Sequence, residues 1–168
     1  MARLEWSAAA RLWTAHFAGL RGRVLDIGAG NGEFWRNAPP PEELILGDIA
    51  GIYRNGAGPG MRLVFDAVQP PIAESGAAAL VALGVTEYIP DLPAALRAWR
   101  AIVPAGGGLL VSSSPPILPN LLRRLADRSV IVRSDALMTE MLLSGGWQPA
   151  AEMPQHAGWQ SLFVAWAG

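Results

Sequence analysis

The chain has 168 residues, a formal net charge of −1 at pH 7 and 51% hydrophobic residues. This composition predicts one globular domain, and the near-neutral charge argues against nucleic acid or an anionic membrane as a partner. All 13 basic residues are arginine and cysteine is absent, which excludes a phosphate-loop lysine, a Schiff-base lysine and a thiolate metal site. No uninterrupted apolar run is long enough to span a membrane, so we expect a cytoplasmic protein.

The first half of the chain is predicted to place short strands between a helix and several loops. Apolar residues at helical spacing predict a helix over residues 5–19. The apolar stretch "RVLDIG" predicts a strand, and "NGEFWRNA" is expected to begin a helix that ends before the following prolines. "ELILGDI" and "MRLVFDA" predict two more strands, each followed by an acid, with a loop over residues 50–60 between them.

The second half predicts two strands, three helices and a final hairpin. "AAALVALGV" is apolar enough for a strand that is buried on both faces, and "GLLVSSS" predicts a fifth strand. Helices are predicted for "LPAALRAWRAIV", with Asp91 as its cap, and for "LLRRLADR" and "SDALMTEMLLSGG". "WQPAAEMPQ" and "WQSLFVAWAG" predict a hairpin with His156 in its turn. This alternation predicts an α/β fold with a mostly parallel sheet.

A glycine-rich turn follows the first predicted strand. Gly28, Gly30 and Gly32 follow a G-x-G-x-G pattern, and Glu33 takes the place of the third glycine of a dinucleotide fingerprint. An acid at that position would repel a pyrophosphate. Asp26, two residues before the first glycine, adds another carboxylate. The turn therefore favours a ligand that carries a cation, such as a sulfonium or an ammonium group.

Two further acids follow the next two predicted strands. Asp48 lies 20 residues beyond Gly28, the spacing at which an acid holds the hydroxyls of a ribose. Asp66 can accept a hydrogen bond from an exocyclic amine, and the backbone N–H of Ala67 can face an adenine nitrogen. An amino-acid group, a ribose and an adenine together describe S-adenosylmethionine. A nicotinamide-binding oxidoreductase is disfavoured by Glu33 and by the glycine spacing.

Several stretches resemble the successive motifs of class I S-adenosylmethionine-dependent methyltransferases: "VLDIGAGNGEF", "LILGDI", "FDAV" and "ALVALGVTEYIPDLPAALRAWRAIVPAGGGLLVSS". The similarity is closest to the small-molecule branch (methyltransferase type 11, UbiE-like) and covers roughly residues 20 to 114. It implies a Rossmann-like fold with a seven-stranded, mostly parallel sheet, an antiparallel last strand and helices on both faces. One domain is expected over residues 1–168, with an N-terminal helix (1–20), a cofactor-binding core (21–114) and C-terminal helices with a final hairpin (115–168).

The resemblance also implies which residues contact the cofactor. The glycines would border its methionine part, Asp48 its ribose, Asp66 its adenine, and Leu83 its methionine tail. Asp26 would orient the ammonium group, or would only brace the turn through hydrogen bonds to the backbone. The expected contacts are Asp26, Gly28, Ala29, Gly30, Gly32, Asp48, Ile49, Asp66, Ala67, Leu83 and Gly84.

Catalytic groups are less well marked. Relatives have a Glu-His pair where this chain has Glu87 and Tyr88, so no histidine base is available there. Tyr88 could orient a substrate, although a phenol with an ordinary pKa of about 10 is a poor base. His16, on the N-terminal helix near the expected mouth of the site, is a second candidate, with a surface histidine as the alternative. No metal site is predicted.

Methyl transfer from a sulfonium is an in-line displacement that mainly requires alignment of the reacting atoms. The expected function is therefore S-adenosylmethionine-dependent transfer of a methyl group to a small-molecule acceptor. The alternative is a catalytically silent or regulatory cofactor-binding module that acts with a partner protein.

Aromatic and basic residues outside these motifs are interpreted mainly as structural. Tyr53 could stack near the adenine or lie on the surface. Exposed aromatics near both ends of the chain make a homodimer plausible. A core role is expected for Trp6, Trp13, Trp35 and Trp99, and a solvated helix face for Arg123, Arg124 and Arg128.

Overall fold

The computed structural model describes residues 6–49 and 59–168. Tyr53 and most of the loop predicted after Asp48 lie outside the described residues. Within the described ranges, no helix is long and apolar enough to cross a membrane. The helices are α1 (Trp6–Phe17), α2 (Leu92–Ala101), α3 (Leu118–Ala126) and α4 (Asp135–Ser144). The strands are β1 (Arg23–Ile27), β2 (Glu43–Asp48), β3 (Met61–Val64), β4 (Ala79–Ala82), β5 (Gly108–Ser113), β6 (Trp147–Pro149), β7 (Gln155–Ala157) and β8 (Gln160–Ala167).

The described strands form one mixed sheet in the order β3-β2-β1-β4-β5-β8-β6, with the short β7 paired to β8. Strands β1 to β5 are parallel, and β8 runs antiparallel to β5. The predicted α/β fold with its antiparallel last strand is therefore confirmed, with one strand more than expected. Strand order reverses between β1 and β4, and ligands of open α/β sheets bind at such a switch point.

Helices cover both faces of the sheet. Successive residues of each strand point to opposite faces, so neighbouring residues pack against different helices. Leu25 of β1 packs in the cluster that contains α2 and α4, whereas its neighbour Val24 packs in the cluster that contains α1. Phe17, at the end of α1, lies against Gly108, where a Cβ atom would approach its ring to 2.1 Å. Each face thus has its own apolar core.

The predicted helix limits in the second half follow from local capping chemistry. The Asp91 carboxylate accepts a hydrogen bond from the N–H of Ala94 at 3.1 Å, as its predicted role as cap requires. Ser134 does the same for the N–H of Leu137 at 3.2 Å, and Gly145 ends α4. These groups satisfy backbone donors and acceptors that a helix end leaves free.

The prediction of a helix after the glycine turn is wrong. The structure has a single 3₁₀ turn there, Phe34–Arg36. The prolines that begin at Pro39 leave few residues in which a helix could grow, and short helices are marginal without strong packing. The rings of Phe34 and Trp35 instead pack against Trp13 of α1, so this segment contributes side chains to the core.

The final hairpin also differs from its prediction. The predicted strand "WQPAAEMPQ" is reduced to β6, because the chain turns at Ala150, whose carbonyl accepts from the N–H of Met153. His156 lies in β7, where it pairs with Ser161 of β8, and not in the hairpin turn.

The predicted third strand is also shorter than expected, since β3 ends before Asp66.

Trp99 links the helical layer to a loop at the carboxyl edge of the sheet. Its ring is fully buried on α2, and its Nε1–H donates to the carbonyl of Ala67 at 2.7 Å. A buried carbonyl without a donor costs about 1–3 kcal/mol. The loop that contains Ala67 therefore depends on this indole for its position.

We expect Trp99→Phe to lower the free energy of unfolding by about 2–4 kcal/mol, since it removes buried volume and leaves the Ala67 carbonyl unpaired. Urea denaturation measures the change. Trp166→Phe is the matched control, because Trp166 is only partly buried and contacts the ring of Phe17, which phenylalanine can still reach. Equal losses in the two variants would contradict the role given to the indole hydrogen bond.

Candidate functional site

A cavity of about 580 Å³ lies at the carboxyl edge of the sheet, beside the switch point. Six of the predicted cofactor residues line it, and they come from the loops after β1, β2, β3 and β4. These residues are Gly28, Asp48, Ile49, Asp66, Ala67 and Gly84. Acids that are distant in the sequence, Asp48 and Asp66, therefore face the same space.

The carboxylate of Asp48 connects two of these loops. Its Oδ2 accepts a hydrogen bond from the N–H of Gly30 at 2.7 Å, and its Oδ1 accepts from the N–H of Ile49 at 2.7 Å. The carbonyl of Gly47 accepts from the N–H groups of Gly28 and Ala29. The glycine turn is thus held against the end of β2, and each carboxylate oxygen retains a lone pair for a ligand.

Gly28 is required by both backbone conformation and space. Its φ of +73° lies in the left-handed region, and a Cβ atom there would lie 2.6 Å from Cβ of Val85. Such a φ is unfavourable for residues with side chains. Val85 follows β4 and lines the same cavity, so the glycine lets the loops after β1 and β4 approach each other.

Asp26 lies beneath the glycine turn and does not line the cavity. Its carboxylate is 3% exposed and accepts from the Nε1–H of Trp35 at 2.7 Å. It braces the turn, as one of the two sequence interpretations proposed, but through a tryptophan side chain and not through the backbone. Burial raises the pKa of Asp26 to about 7, the Trp35 hydrogen bond opposes this shift, and the nearby Asp48 carboxylate adds to it.

The loop after β3 forms the opposite wall. Asp66 is exposed, and its Oδ1 accepts from the N–H of Val68 at 2.9 Å. The ring of Phe65 lies directly over Gly47, where a Cβ atom would approach it to 2.0 Å. Ala67 and Val68 continue an apolar wall beside this carboxylate, which suits a flat ring with a polar edge.

Ser112 supports the site in a way that the sequence analysis missed. Its Oγ accepts from the N–H of Gly84 at 2.8 Å, and its carbonyl accepts from the hydroxyl of Thr86 at 2.6 Å. The loop after β4 is therefore held by the end of β5. Ser112 lies near the end of β5, and a serine at the end of an apolar strand is the one signal for this role in the sequence.

Of the remaining predicted site residues, Tyr88 lines the cavity, whereas Ala29, Gly30, Gly32, Leu83 and His16 do not. Gly32 and Leu83 are buried. His16 lies 3.3 Å from Glu152 and beside Trp166, which pairs with the first residue of β5. This is the edge of the sheet opposite the cavity, so the expected position of His16 at the mouth of the site is wrong. Tyr88 does line the cavity and is half-exposed.

Arg123 is not part of a solvated helix face, contrary to the prediction. Its side chain is 14% exposed and reaches inward to the buried carboxylate of Glu87 at 3.3 Å. The same guanidinium donates to the hydroxyl of Tyr88 at 3.3 Å. Arg124 and Arg128 are exposed, as predicted.

A family model described as a methyltransferase domain matches residues 7–162 of the chain. The chain belongs to this family. Its relatives of known fold are class I S-adenosylmethionine-dependent methyltransferases of the UbiE or type 11 kind, which confirms the resemblance found in the sequence. A search of curated protein sequences gave no significant match.

Solved structures of methyltransferases share the fold across nearly the whole chain. A proposed methyltransferase of Bacillus halodurans is 16% identical, with a TM-score of 0.71 and 95% of each chain covered. The magnesium protoporphyrin IX methyltransferase of Synechocystis, with bound S-adenosylhomocysteine, is 14% identical, with a TM-score of 0.72, 96% of this chain and 82% of that chain. A proposed methyltransferase in complex with the methyltransferase activator of Haloferax volcanii is 15% identical, with a TM-score of 0.68 and 99% of each chain covered.

The raised pKa of Asp26 makes the stability of the domain depend on pH. The folded state holds this proton more tightly than the unfolded chain, whose pKa is near the ordinary value of 3.8. The stabilisation is fully present below that value and is lost as the pH rises through about 7. We expect Asp26→Asn, which is neutral at every pH, to lack this loss.

Urea denaturation at about pH 5 and about pH 8 measures the effect. Between these values wild type should lose up to about 3 kcal/mol relative to Asp26→Asn. Glu33→Gln, which neutralises an exposed acid of the same turn, is the control and should follow wild type. Parallel pH profiles for Asp26→Asn and wild type would contradict the assignment.

Proposed function

We propose that this methyltransferase domain binds S-adenosylmethionine in the cavity beside Asp48 and transfers its methyl group to a small-molecule acceptor. The observation that carries the proposal is that Asp48, Asp66, Gly28 and Gly84, which the sequence and its resemblance mark as contacts for ribose, adenine and methionine, line one cavity. The membership of the family supports the same cofactor.

The residues present fit such a ligand. A volume of about 580 Å³ lies within the range of small-molecule sites, which is about 300–1,000 Å³. Asp48 has lone pairs directed at neither of its two backbone donors, so it can accept from ribose hydroxyls. Asp66 and the apolar residues Phe65 and Val68 suit an adenine, whose edge donates hydrogen bonds while its faces are apolar.

The glycine loops permit close approach of backbone to the methionine part. Gly84 has a φ of +72°, and a Cβ atom there would meet no other atom within 4 Å, so its surroundings leave room for a ligand. Asp48 contributes a carboxylate beside Gly28 and Gly30 that can accept hydrogen bonds from ribose hydroxyls. The argument against nicotinamide dinucleotides rests on Glu33 and on the glycine spacing.

When bound, S-adenosylmethionine supplies an electrophilic methyl group on a sulfonium. The chain's own contribution is to hold and orient the reactants, which can by itself accelerate the reaction greatly. Tyr88 lines the cavity, and no histidine is among the described residues that line it. We therefore infer an acceptor that is already nucleophilic, such as a carboxylate, an amine or an activated carbon.

Calorimetric titration with S-adenosylhomocysteine and with NAD tests the cofactor assignment. We expect the first to bind and the second not to bind. Asp48→Asn should weaken S-adenosylhomocysteine binding about tenfold or more, because it removes a charged acceptor for the ribose hydroxyls. Asp127→Asn, at an exposed acid beyond the end of α3, is the matched control and should bind like wild type. Tighter binding of NAD than of S-adenosylhomocysteine would overturn the proposal.

A second candidate is a cofactor-binding module that acts with a partner protein. The favouring observation is that α3 exposes a row of leucines beside the site, with Leu118 at 68%, Leu122 at 55% and Leu125 at 79% exposed. Monomeric proteins rarely expose such apolar rows without a binding role. One of the structural neighbours is itself seen in complex with an activator protein.

Transfer of labelled methyl groups separates the two candidates. The purified chain is incubated with methyl-labelled S-adenosylmethionine and a protein-free metabolite extract, and label in small molecules is counted. We expect transfer that Asp48→Asn reduces about tenfold or more and Asp127→Asn leaves unchanged. Cofactor binding without transfer, restored only when a protein fraction is added, would favour the partner-dependent module.

A further inference from the structure

Helix α3 is oriented with polar residues inward and leucines outward, the reverse of an ordinary surface helix. Asn120 and Arg123, one turn apart, face the body of the protein, and Asn120 is the fully buried residue of this helix. The amide of Asn120 donates to the carbonyls of Pro115 at 2.8 Å and Trp159 at 2.7 Å. Polar contacts, not apolar packing, therefore hold this helix in place.

A cluster of buried polar side chains lies beneath that face, between α3 and the ends of β5 and β8, and we refer to it as the pocket beneath α3. The amide of Gln160 donates to the hydroxyl of Ser114 at 2.8 Å and lies 3.5 Å from the Oε1 of Glu87. Arg123 reaches the same two residues, with its guanidinium 3.3 Å from Oε1 of Glu87 and 3.5 Å from Oγ of Ser114. Glu87, Ser114 and Gln160 are each 1% exposed.

Three buried oxygens in this network accept no hydrogen bond from any described residue: Oε2 of Glu87, Oδ1 of Asn120 and Oε1 of Gln160. Buried polar atoms in native proteins are almost always paired. All three of these atoms are acceptors only, so the partner they lack is a donor. A primary ammonium group has three donors and no acceptor, whereas a hydroxyl has a single donor.

The ion pair of Glu87 with Arg123 is too long to satisfy a buried carboxylate. Charge-assisted N–H···O bonds normally measure about 2.7–2.9 Å, whereas the contacts of Arg123 measure 3.3 to 3.5 Å. Arg133, the second arginine near Glu87, is directed to the carbonyls of Thr86 and Ile89. Arg123 is therefore a weak partner for the buried carboxylate of Glu87, and Arg133 is a second cation that interacts with it electrostatically.

Tyr88 joins this pocket to the cavity proposed for the cofactor. It follows Glu87 in the 3₁₀ turn Thr86–Tyr88, its side chain lines the cavity, and its hydroxyl accepts from Arg123 at 3.3 Å. A group that replaces Arg123 beside Glu87 would therefore lie one residue from the wall of the cavity.

We propose that the pocket beneath α3 binds a primary amino group of the methyl acceptor, with Glu87 as its counter-ion in place of Arg123. This inference rests on the function proposed above and adds the chemical class of the acceptor. Because the pocket atoms have no exposed surface, α3 must move outward when the acceptor enters. The proposal assigns binding only, and it leaves open which atom of the acceptor is methylated.

Ligand-observed NMR titrations test the proposal with three probes of one carbon skeleton: n-butylammonium, butyrate and n-butanol. They are run with and without saturating S-adenosylhomocysteine. We expect saturable binding of n-butylammonium and none of the other two. Glu87→Gln should weaken that binding about tenfold or more, and Arg123→Gln should strengthen it several-fold, because it removes the competing cation. Glu140→Gln, at an exposed acid of α4, is the control and should bind like wild type.

If Glu87→Gln weakens the affinity for n-butylammonium and Arg123→Gln strengthens it, the two residues act as proposed. A purely structural role would weaken the affinity in both variants. If Glu87→Gln fails to fold, Gln160→Met gives the decision, since it removes one of the three oxygens and should weaken amine binding. Binding of butyrate in preference to n-butylammonium, shifts in the same direction, or no amine binding would overturn the inference. Failure of S-adenosylhomocysteine to bind would instead overturn the proposed function. The titration of n-butylammonium in the absence of S-adenosylhomocysteine would still decide the amine-binding proposal.

Discussion

The carboxylate of Asp48 is the constraint on which the site depends. One oxygen accepts from Gly30 in the turn after β1, and the other accepts from Ile49 at the end of its own strand. Because β1 and β2 are adjacent parallel strands, this contact fixes the distance between two loops at the carboxyl edge of the sheet. The same carboxylate lines the cavity, so the group that organises the loops is also the one to which we assign the ribose.

A carboxylate in this position has an electrostatic consequence for its neighbours. Burial raises the pKa of Asp26 to about 7, and the nearby Asp48 carboxylate adds to this shift. Trp35 compensates in part with an indole hydrogen bond. Glu87, in the turn after β4, is a second buried acid, and its partner Arg123 lies 3.3 Å away. Both acids support loops that surround the same cavity.

Local patterns in the sequence predicted most of the fold and part of the site. The caps Asp91 and Ser134 and the acids at strand ends are marked by the residues that adjoin them in the sequence. A single sequence is therefore enough to predict them. The helix predicted after the glycine turn is absent because Trp35 bonds to Asp26 and prolines follow. The inward orientation of Arg123 depends on Glu87, 36 residues earlier, and the bracing by Ser112 depends on Gly84, 28 residues earlier. Contacts at such distances leave no periodic signal in a single sequence.

A crystal structure of the chain with S-adenosylhomocysteine tests the central claim most directly. The account predicts the ribose hydroxyls within hydrogen-bond distance of Asp48, the adenine between Phe65 and Val68 beside Asp66, and an unchanged contact between Asp48 and Gly30. Density for the nucleoside at another place on the sheet, or a ribose that contacts no carboxylate, would contradict it.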